Sequence, residues 1–307
     1  MHDILADILK TFQLHSSIYC QSEISSDGWA LRFRPFNGAA FHIVRQGCCW
    51  LLSDHDRLPV QEGDLVVLPR GDDHLIADRV ESPVCSDIHL EDHDGETCRL
   101  LRWGDGPLRT VLICGTFSFT QYQGGSILPL LPPILHFSSQ TMYRNGLKVT
   151  IDGLIEEANA DRQGKNTVLH RLADILFVQI VRAWLADPQT EAHGWLAGLR
   201  DPQIASALVA VHQQPERNWT VAALASQSAM SRSAFAARFA DIVGISPIDY
   251  LTQWRMHVAS RMLTQPALSI EQIAERTGYS SDIAFSRAFS RIYKLSPSAY
   301  RRTLAGN

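Results

Sequence analysis

No run of roughly 18 uninterrupted apolar residues occurs in this 307-residue chain, so no membrane-spanning helix is expected. The opening MHDILADILK is acidic and amphipathic, with Ile4, Leu5, Ile8, Leu9 and Phe12 at helical spacing. It lacks the basic start and continuous apolar stretch of a secretory signal, and a cytoplasmic location is the expectation. Catalytic signatures are also missing. There is no G-x-S-x-G elbow, no G-x-x-x-x-G-K-[ST] loop and no H-E-x-x-H. The stretch DIHLEDHD (87–94) reads as a solvated loop rather than an acid-base or metal site. No enzyme is therefore expected. Cysteine is absent after residue 114, and the six present (Cys20, Cys48, Cys49, Cys85, Cys98, Cys114) never fall in C-x-x-C spacing. A zinc ribbon or thioredoxin-type site is excluded on that ground, and a standing disulfide is not expected in a cytoplasmic protein.

A large charge surplus is lacking as well: 28 Lys+Arg stand against 32 Asp+Glu, net −4. The distribution is uneven. Residues 201–307 hold 11 basic and 7 acidic residues, net +4, which leaves 17 and 25, net −8, for residues 1–200. A basic part joined to an acidic part fits a nucleic-acid reader attached to something else. The length suits two domains, each with ample core.

The basic part contains one pattern twice. Trp219–Leu251 reads WTVAALASQSAMSRSAFAARFADIVGISPIDYL, and Ser269–Arg301 reads SIEQIAERTGYSSDIAFSRAFSRIYKLSPSAYR. Ala225 and Met230 match Ala274 and Tyr279 at a separation of 49; Phe235, Phe239, Pro247 and Tyr250 match Phe285, Phe289, Pro297 and Tyr300 at 50. One residue is gained inside the second turn. Each copy reads as helix, tight turn, helix, then a Ser-Pro helix start. Thr220 is the expected cap of the first copy, and Ser269 with Gln272 makes a capping box in the second. Gly278 marks the turn, and Ser246-Pro247 and Ser296-Pro297 are cap-plus-proline starts. This is the helix-turn-helix layout, whose second helix enters the major groove of DNA. One copy alone could be a plain helical bundle; two copies with matched caps argue against that.

At about 100° per residue, the second helix of each copy divides into faces. In the second copy Phe285, Phe289 and Ile292 face the core, and Ile283, Ser286, Arg287 and Ser290 lie opposite. Arg287 points most directly outward and is the best base-reading candidate, able to grip a guanine at two points. Arg291 lies to one side and suits a phosphate. In the first copy Phe235, Phe239 and Ile242 form the core side. Its outward side, with Ser233, Ala236, Ala237 and Ala240, carries no long polar side chain. Arg232 is the guanidinium nearby. The first copy is expected to read by close fit and phosphate positioning, the second by direct contact.

These residues, above all GYSSDIAFSRAFSRIYKLSPSAYRR, resemble the AraC/XylS-type DNA-binding domain and its GYSSxxxFxRxFxxxxGxSPxxYR signature. Lys294 stands where that signature has Gly, a change at a helix end. The resemblance implies a transcription regulator, an activator or a repressor, with double-stranded promoter DNA and RNA polymerase as partners and both units on one face of the DNA.

Residues 18–137 read as all-β: LRF, FHIV, CCWLL, DLVVLP and RTVLICGTFSF are short apolar runs broken by Gly, Pro and Asp clusters. GDLVVLPRGDDHLIAD resembles the second cupin motif through Gly63, Pro69, Gly71 and His74, with Asp78 in place of Asn. A cupin β-barrel is implied, with a small-molecule or metal pocket inside it. His42 and His74 are the pocket candidates. As metal ligands they would need a third, for which His89 is available; the first cupin motif's second histidine is replaced by Val44. Metal centres want three or four ligands, so core histidines are the competing reading, and no cofactor is otherwise expected. The same gap argues against a cupin oxygenase.

The cysteines read first as small buried hydrophobes, Cys48 and Cys49 most clearly. The arrangement also resembles cupin-bearing AraC-type regulators that respond to reactive chlorine species. That resemblance implies Cys20 as the attacking thiol and Cys114 as its partner. An oxidant and a bound small molecule therefore both stand as inputs. Two helical patterns follow, at about 145–161 and 166–186. Packing on the barrel is one reading of them; a homodimer seam along the second, with Leu169, Leu172, Ile175, Leu176, Gln179, Ile180 and Trp184, is the other and is what the resemblance implies. Pro188, Gly194, Gly198 and Pro202 mark a linker. The expected fold is α+β with two domains: a cupin-like barrel over 1–137, a helical, dimerising segment over 138–186, a linker over 187–202, and an all-α domain with two helix-turn-helix units over 203–307.

Overall fold

A computed structural model describes residues 5, 14–54, 56–90, 99–107, 109–119, 127–144, 146–160, 162–187 and 194–305. Most of the amphipathic start and Cys98 lie outside them. The described residues fall into two compact units, one within 14–119 and 131–187, the other within 127–130 and 194–305 with residue 5. No described helix is long and apolar enough to cross a membrane.

Among the described residues the first unit has eleven strands: β1 (Leu14–Ile24), β2 (Ala30–Phe33), β3 (Ala39–Gln46), β4 (Cys48–Ser53), β5 (Arg57–Gln61), β6 (Leu65–Leu68), β7 (His74–Ala77), β8 (Val84–Ile88), β9 (Arg99–Trp103), β10 (Thr110–Phe119) and β11 (Leu135–Phe137). They form a six-stranded sheet in the order β11-β6-β3-β10-β1-β9 and a five-stranded sheet in the order β5-β4-β7-β2-β8. Alternate residues of both sheets meet in one buried cluster that includes Ile24, Leu31, Phe33, Val44, Leu51, Val66, Ile76 and Leu112. The cupin-like segment shows why its motif is glycine-rich. Gly71 has φ +61°, and a Cβ there would lie 2.3 Å from the Phe36 carbonyl and 2.6 Å from that of Gly38. Asp78 accepts from the Gly28 and Trp29 amides at 2.7 and 3.0 Å, closing the turn before β2.

Helices α1 (Ser139–Arg144), α2 (Leu147–Asn159) and α3 (Lys165–Ala186) follow. Asp64 fixes their start, accepting from the Ser139 amide at 2.9 Å and from His136 at 2.9 Å. α3 buries Leu169, Ala173, Leu176, Phe177, Ile180, Val181 and Trp184. Phe177 meets Phe117 and Phe119 of β10 edge-on, at 5.0 and 5.4 Å. The single helical stripe read from the sequence thus splits in two. Leu169, Leu176, Ile180 and Trp184 are buried, while Val168 and Ile175, 42% and 48% exposed, form a second row with half-buried Leu172 and Gln179.

The second unit comprises α4 (Gly194–Gly198), α5 (Pro202–Gln213), α6 (Val221–Gln227), α7 (Arg232–Val243), α8 (Pro247–Met262), α9 (Ile270–Arg276), α10 (Asp282–Tyr293) and α11 (Pro297–Ala305). The stretch read as linker folds in its second half, where Leu196 is fully buried. Asp201 caps α5, accepting from the Gln203 and Ile204 amides. The caps read from the sequence form: Thr220, Ser246 and Ser296 each accept from the amide three residues on, and Ser269 with Gln272 makes the reciprocal capping box. The third core place of each second helix falls one residue later than its spacing suggested. Val243 and Tyr293 are buried, whereas Ile242 and Ile292 are half-buried.

Candidate functional site

The two outward helices of the second unit, α7 and α10, present the residues that their periodicity predicts. Phe235 and Phe239 are buried beneath α7, and Phe285 and Phe289 beneath α10. This anchors each helix by one side and turns the other to solvent. On α10 Ile283 is 62% exposed, Arg287 and Arg291 are exposed, and Ser286 and Ser290 are half-buried. On α7 Arg232, Ser233 and Ala237 are exposed and Ala236 is half-buried. The side chains of Arg232, Arg287 and Arg291 make no hydrogen bond or ion pair among the described residues. Arg238, which carries no signal in the sequence pattern, points out from α7 but is bound to Asp201 at 2.6 Å. Burial raises the Asp201 pKa, but hydrogen bonds from the Ile204 amide, Arg238 and the Gln203 amide outweigh that and hold it below the usual carboxylate value. The turns between helices need left-handed backbone. Gly278 has φ +77° in the second helix-turn-helix copy, and Ala229 takes φ 52° at the equivalent place in the first copy.

In the barrel unit His42 and His74 come together, each 1% exposed. Their Nε2 atoms are 2.8 Å apart, and His42 Nδ1 is 3.1 Å from Cys114 Sγ. His74 Nδ1 is 2.8 Å from the Asp72 carbonyl, which can only accept. The direction of every bond follows. His74 donates from Nδ1, so its Nε2 accepts from His42, and His42 Nδ1 accepts from the Cys114 thiol. Both imidazoles are neutral. Burial lowers the His42 pKa well below its usual value, helped by His74, and burial pushes His74 down to about 4.

His89 is exposed and takes no part in this cluster, which corrects the third-ligand expectation. Two nitrogens bonded to each other are short of a metal centre, and among the described residues no group of three His, Cys, Asp or Glu is placed to hold one. The cupin metal therefore does not fit the residues present. The two histidines are buried core residues, with Phe33 stacked on His74 at 5.0 Å.

Cys20 lies within β1 and sits directly opposite Cys114 of β10. Both are buried thiols, and Cys20 Sγ is 3.5 Å from Ser22 Oγ. Cys49 is buried and its pKa is pushed up to about 12 by that burial, but Cys48 is exposed, against the expectation that both are buried hydrophobes. A cavity of about 630 Å³ lies elsewhere in the unit, walled by His15, Ser16, Ser17 and Thr116 on the strands and by Thr167, His170, Arg171 and Asp174 on α3.

Comparison with known proteins agrees with this geometry. Residues 3–186 match the Cupin family model, and residues 224–303 match the Helix-turn-helix domain model. A Streptomyces antibioticus protein described as AraC-like is 33% identical over 306 residues, covering 98% of each chain. The HTH-type transcriptional regulator AlkR of Acinetobacter baylyi is 32% identical, covering 98% of this chain and 99% of its own. The RCS-specific HTH-type transcriptional activator RclR of Escherichia coli is 26% identical, covering 85% and 83%. The chain belongs to the AraC-type DNA-binding transcriptional regulators, non-enzymatic proteins that here carry an N-terminal cupin-like domain.

Proposed function

We propose that this regulator acts in the cytoplasm as a homodimer on promoter DNA, and that a chemical signal received by the barrel unit changes its DNA binding. The observation that carries the reading is the pair of outward helices, with Arg287 exposed and uncommitted on the second. Arg287 reads a base, with Ile283, Ser286 and Ser290 packed on the groove around it. Arg232 and Arg291 hold phosphates, and Ser233, Ala236 and Ala237 allow α7 to lie close to the DNA. The row Val168, Leu172, Ile175 and Gln179 on α3, of which Val168 and Ile175 are exposed, serves as the dimer seam. RNA polymerase is the partner through which such a bound activator works.

The input is an oxidant acting on Cys20, with Cys114 as the disulfide partner. Cross-strand opposition supports this, since directly paired residues have Cα atoms about 4.5–5.5 Å apart, inside the range a disulfide spans. Hypochlorous acid chlorinates the Cys20 sulfur with loss of water, and the Cys114 sulfur then displaces chloride and releases its proton. The relative named RCS-specific points the same way.

A second reading has a specific observation behind it. Ser16 is 7% exposed, its hydroxyl has no hydrogen-bond partner among the described residues, and it lines the cavity between β1 and α3. A small molecule seated there would satisfy it and move α3 without thiol chemistry. The experiment is DNA binding by the reduced protein, before and after a hypochlorite pulse and again after reductant. A reversible change that Cys20→Ser abolishes supports thiol input; an unchanged response in that variant rules out Cys20 as the sensor, and binding of the parent protein that hypochlorite leaves unchanged moves the input to a small molecule in the barrel unit.

A further inference from the structure

Arg255 lies on α8, the helix that connects the two helix-turn-helix units, and its side chain is half-buried. Its Nε donates to the Pro215 carbonyl at 2.7 Å and its Nη2 to the Arg217 carbonyl at 2.9 Å. Both carbonyls belong to the segment that leads into α6, the opening helix of the first unit. The same guanidinium lies over the ring of Tyr279, with Cζ 5.5 Å from its centroid, in the turn of the second unit. That turn is shaped around it. A Cβ on Gly278 would lie 2.4 Å from Arg255 Nη2 and 2.6 Å from the Glu216 carbonyl. The leading segment is itself braced: Trp219 Nε1 donates to the Gln214 carbonyl at 2.9 Å, and Arg217 stacks on the Trp219 ring at 4.2 Å.

A single helix between two units leaves them free to twist about its axis. A second connection away from that axis restrains the twist, and with it the angle between α7 and α10. DNA makes that angle matter. One inserted base pair moves the second contacted segment by about 3.4 Å and turns it by about 35°. The fork of an arginine can serve two carbonyls and lie on a ring at once; a lysine cannot.

We propose that Arg255 is a specificity-determining positioning residue. By tying the 215–217 segment to the Gly278–Tyr279 turn, it sets the phase between α7 and α10, and so the spacing of the two DNA segments that the chain accepts. This rests on the DNA-binding reading and adds to it a residue that touches no DNA.

The test uses the full chain and the duplex that the wild-type protein selects from random DNA. Two further duplexes carry one base pair inserted or deleted between the contacted segments. The wild type should lose about tenfold or more in affinity on the altered duplexes, the scale of one mismatched base pair. Arg255→Lys should bind the selected duplex less tightly and lose only about two- to threefold on the altered ones. Arg255→Met should behave likewise; if it does not fold, Tyr279→Leu takes its place and should show an intermediate spacing penalty. Variants that keep the full wild-type penalty overturn the proposal, including the case of equal loss on every duplex with a lowered melting temperature. A wild-type protein that selects no duplex at all overturns the DNA-binding reading instead.

Discussion

Arg287→Ala separates base reading from general attraction to DNA. The side chain is exposed on α10, on the side opposite buried Phe285 and Phe289, and binds no described residue. Removing it leaves no cavity and no unpaired partner, so folding stability should change by no more than about 0.5 kcal/mol. A two-point arginine–guanine interaction is worth about 1–3 kcal/mol of discrimination, or roughly 5- to 150-fold in affinity at one base pair. Arg291→Ala is the internal comparison. Without its guanidinium on a phosphate, binding should weaken similarly on every sequence, and the slope of log K against log salt should fall by about 0.9. Fluorescence anisotropy at several salt concentrations would measure both variants on the selected duplex, its single-base substitutions and random DNA. Arg287→Ala should lose affinity mainly on the selected duplex and tolerate substitution at one position. Equal loss on selected and random DNA would refute the assignment of Arg287 as a base reader.

Lys294 ends α10 at φ 58°, a conformation that costs an L-residue roughly 1 kcal/mol, and Gly244 ends α7 at φ 83° without that cost. Lys294→Gly should therefore raise the melting temperature and Gly244→Lys lower it, each by about 0.5–1 kcal/mol of stability; a change of opposite sign in calorimetry refutes the backbone argument. His42 and His74 are neutral in the fold, while the unfolded chain takes up protons near pH 6.5. Their stabilisation is present above that pH and lost as pH falls toward the folded value, about 4 for His74. Urea unfolding should show a loss of about 2 kcal/mol per imidazole between pH 7 and 5, and a flat profile would show that the imidazoles are not buried as described. Asp201→Ala removes a helix cap and the partner of Arg238, and should cost about 1–2 kcal/mol at neutral pH. Because hydrogen bonding lowers the Asp201 pKa, that difference should vanish as pH falls through the folded value; a cost that persists in acid would place its origin elsewhere.

Much of the DNA-binding unit could be read in one dimension, because caps, turns and helix faces are local. Ser269 and Gln272 meet three residues apart, and the faces of α10 follow from 3.6 residues per turn. What escaped that reading was long-range. Asp201 and Arg238 are 37 residues apart, and Arg255 reaches back 40 residues to Pro215. Neither pair leaves a periodic trace. In the barrel unit, strands were legible as apolar runs, but which residues face each other was not.

The chain's own spacing determined that two matched helix-turn-helix units exist, which side of each second helix faces outward, and that the N-terminal part is built of strands. Each of these is set by neighbours within a few residues. Strand register decided the rest of the sensor unit. It placed Cys20 opposite Cys114, lined up Cys114, His42 and His74 in one hydrogen-bonded row, and left His89 outside it. Pairing between strands nearly a hundred residues apart is chosen by the packing of the whole core, and a one-residue slip would have turned every one of those side chains to the other face.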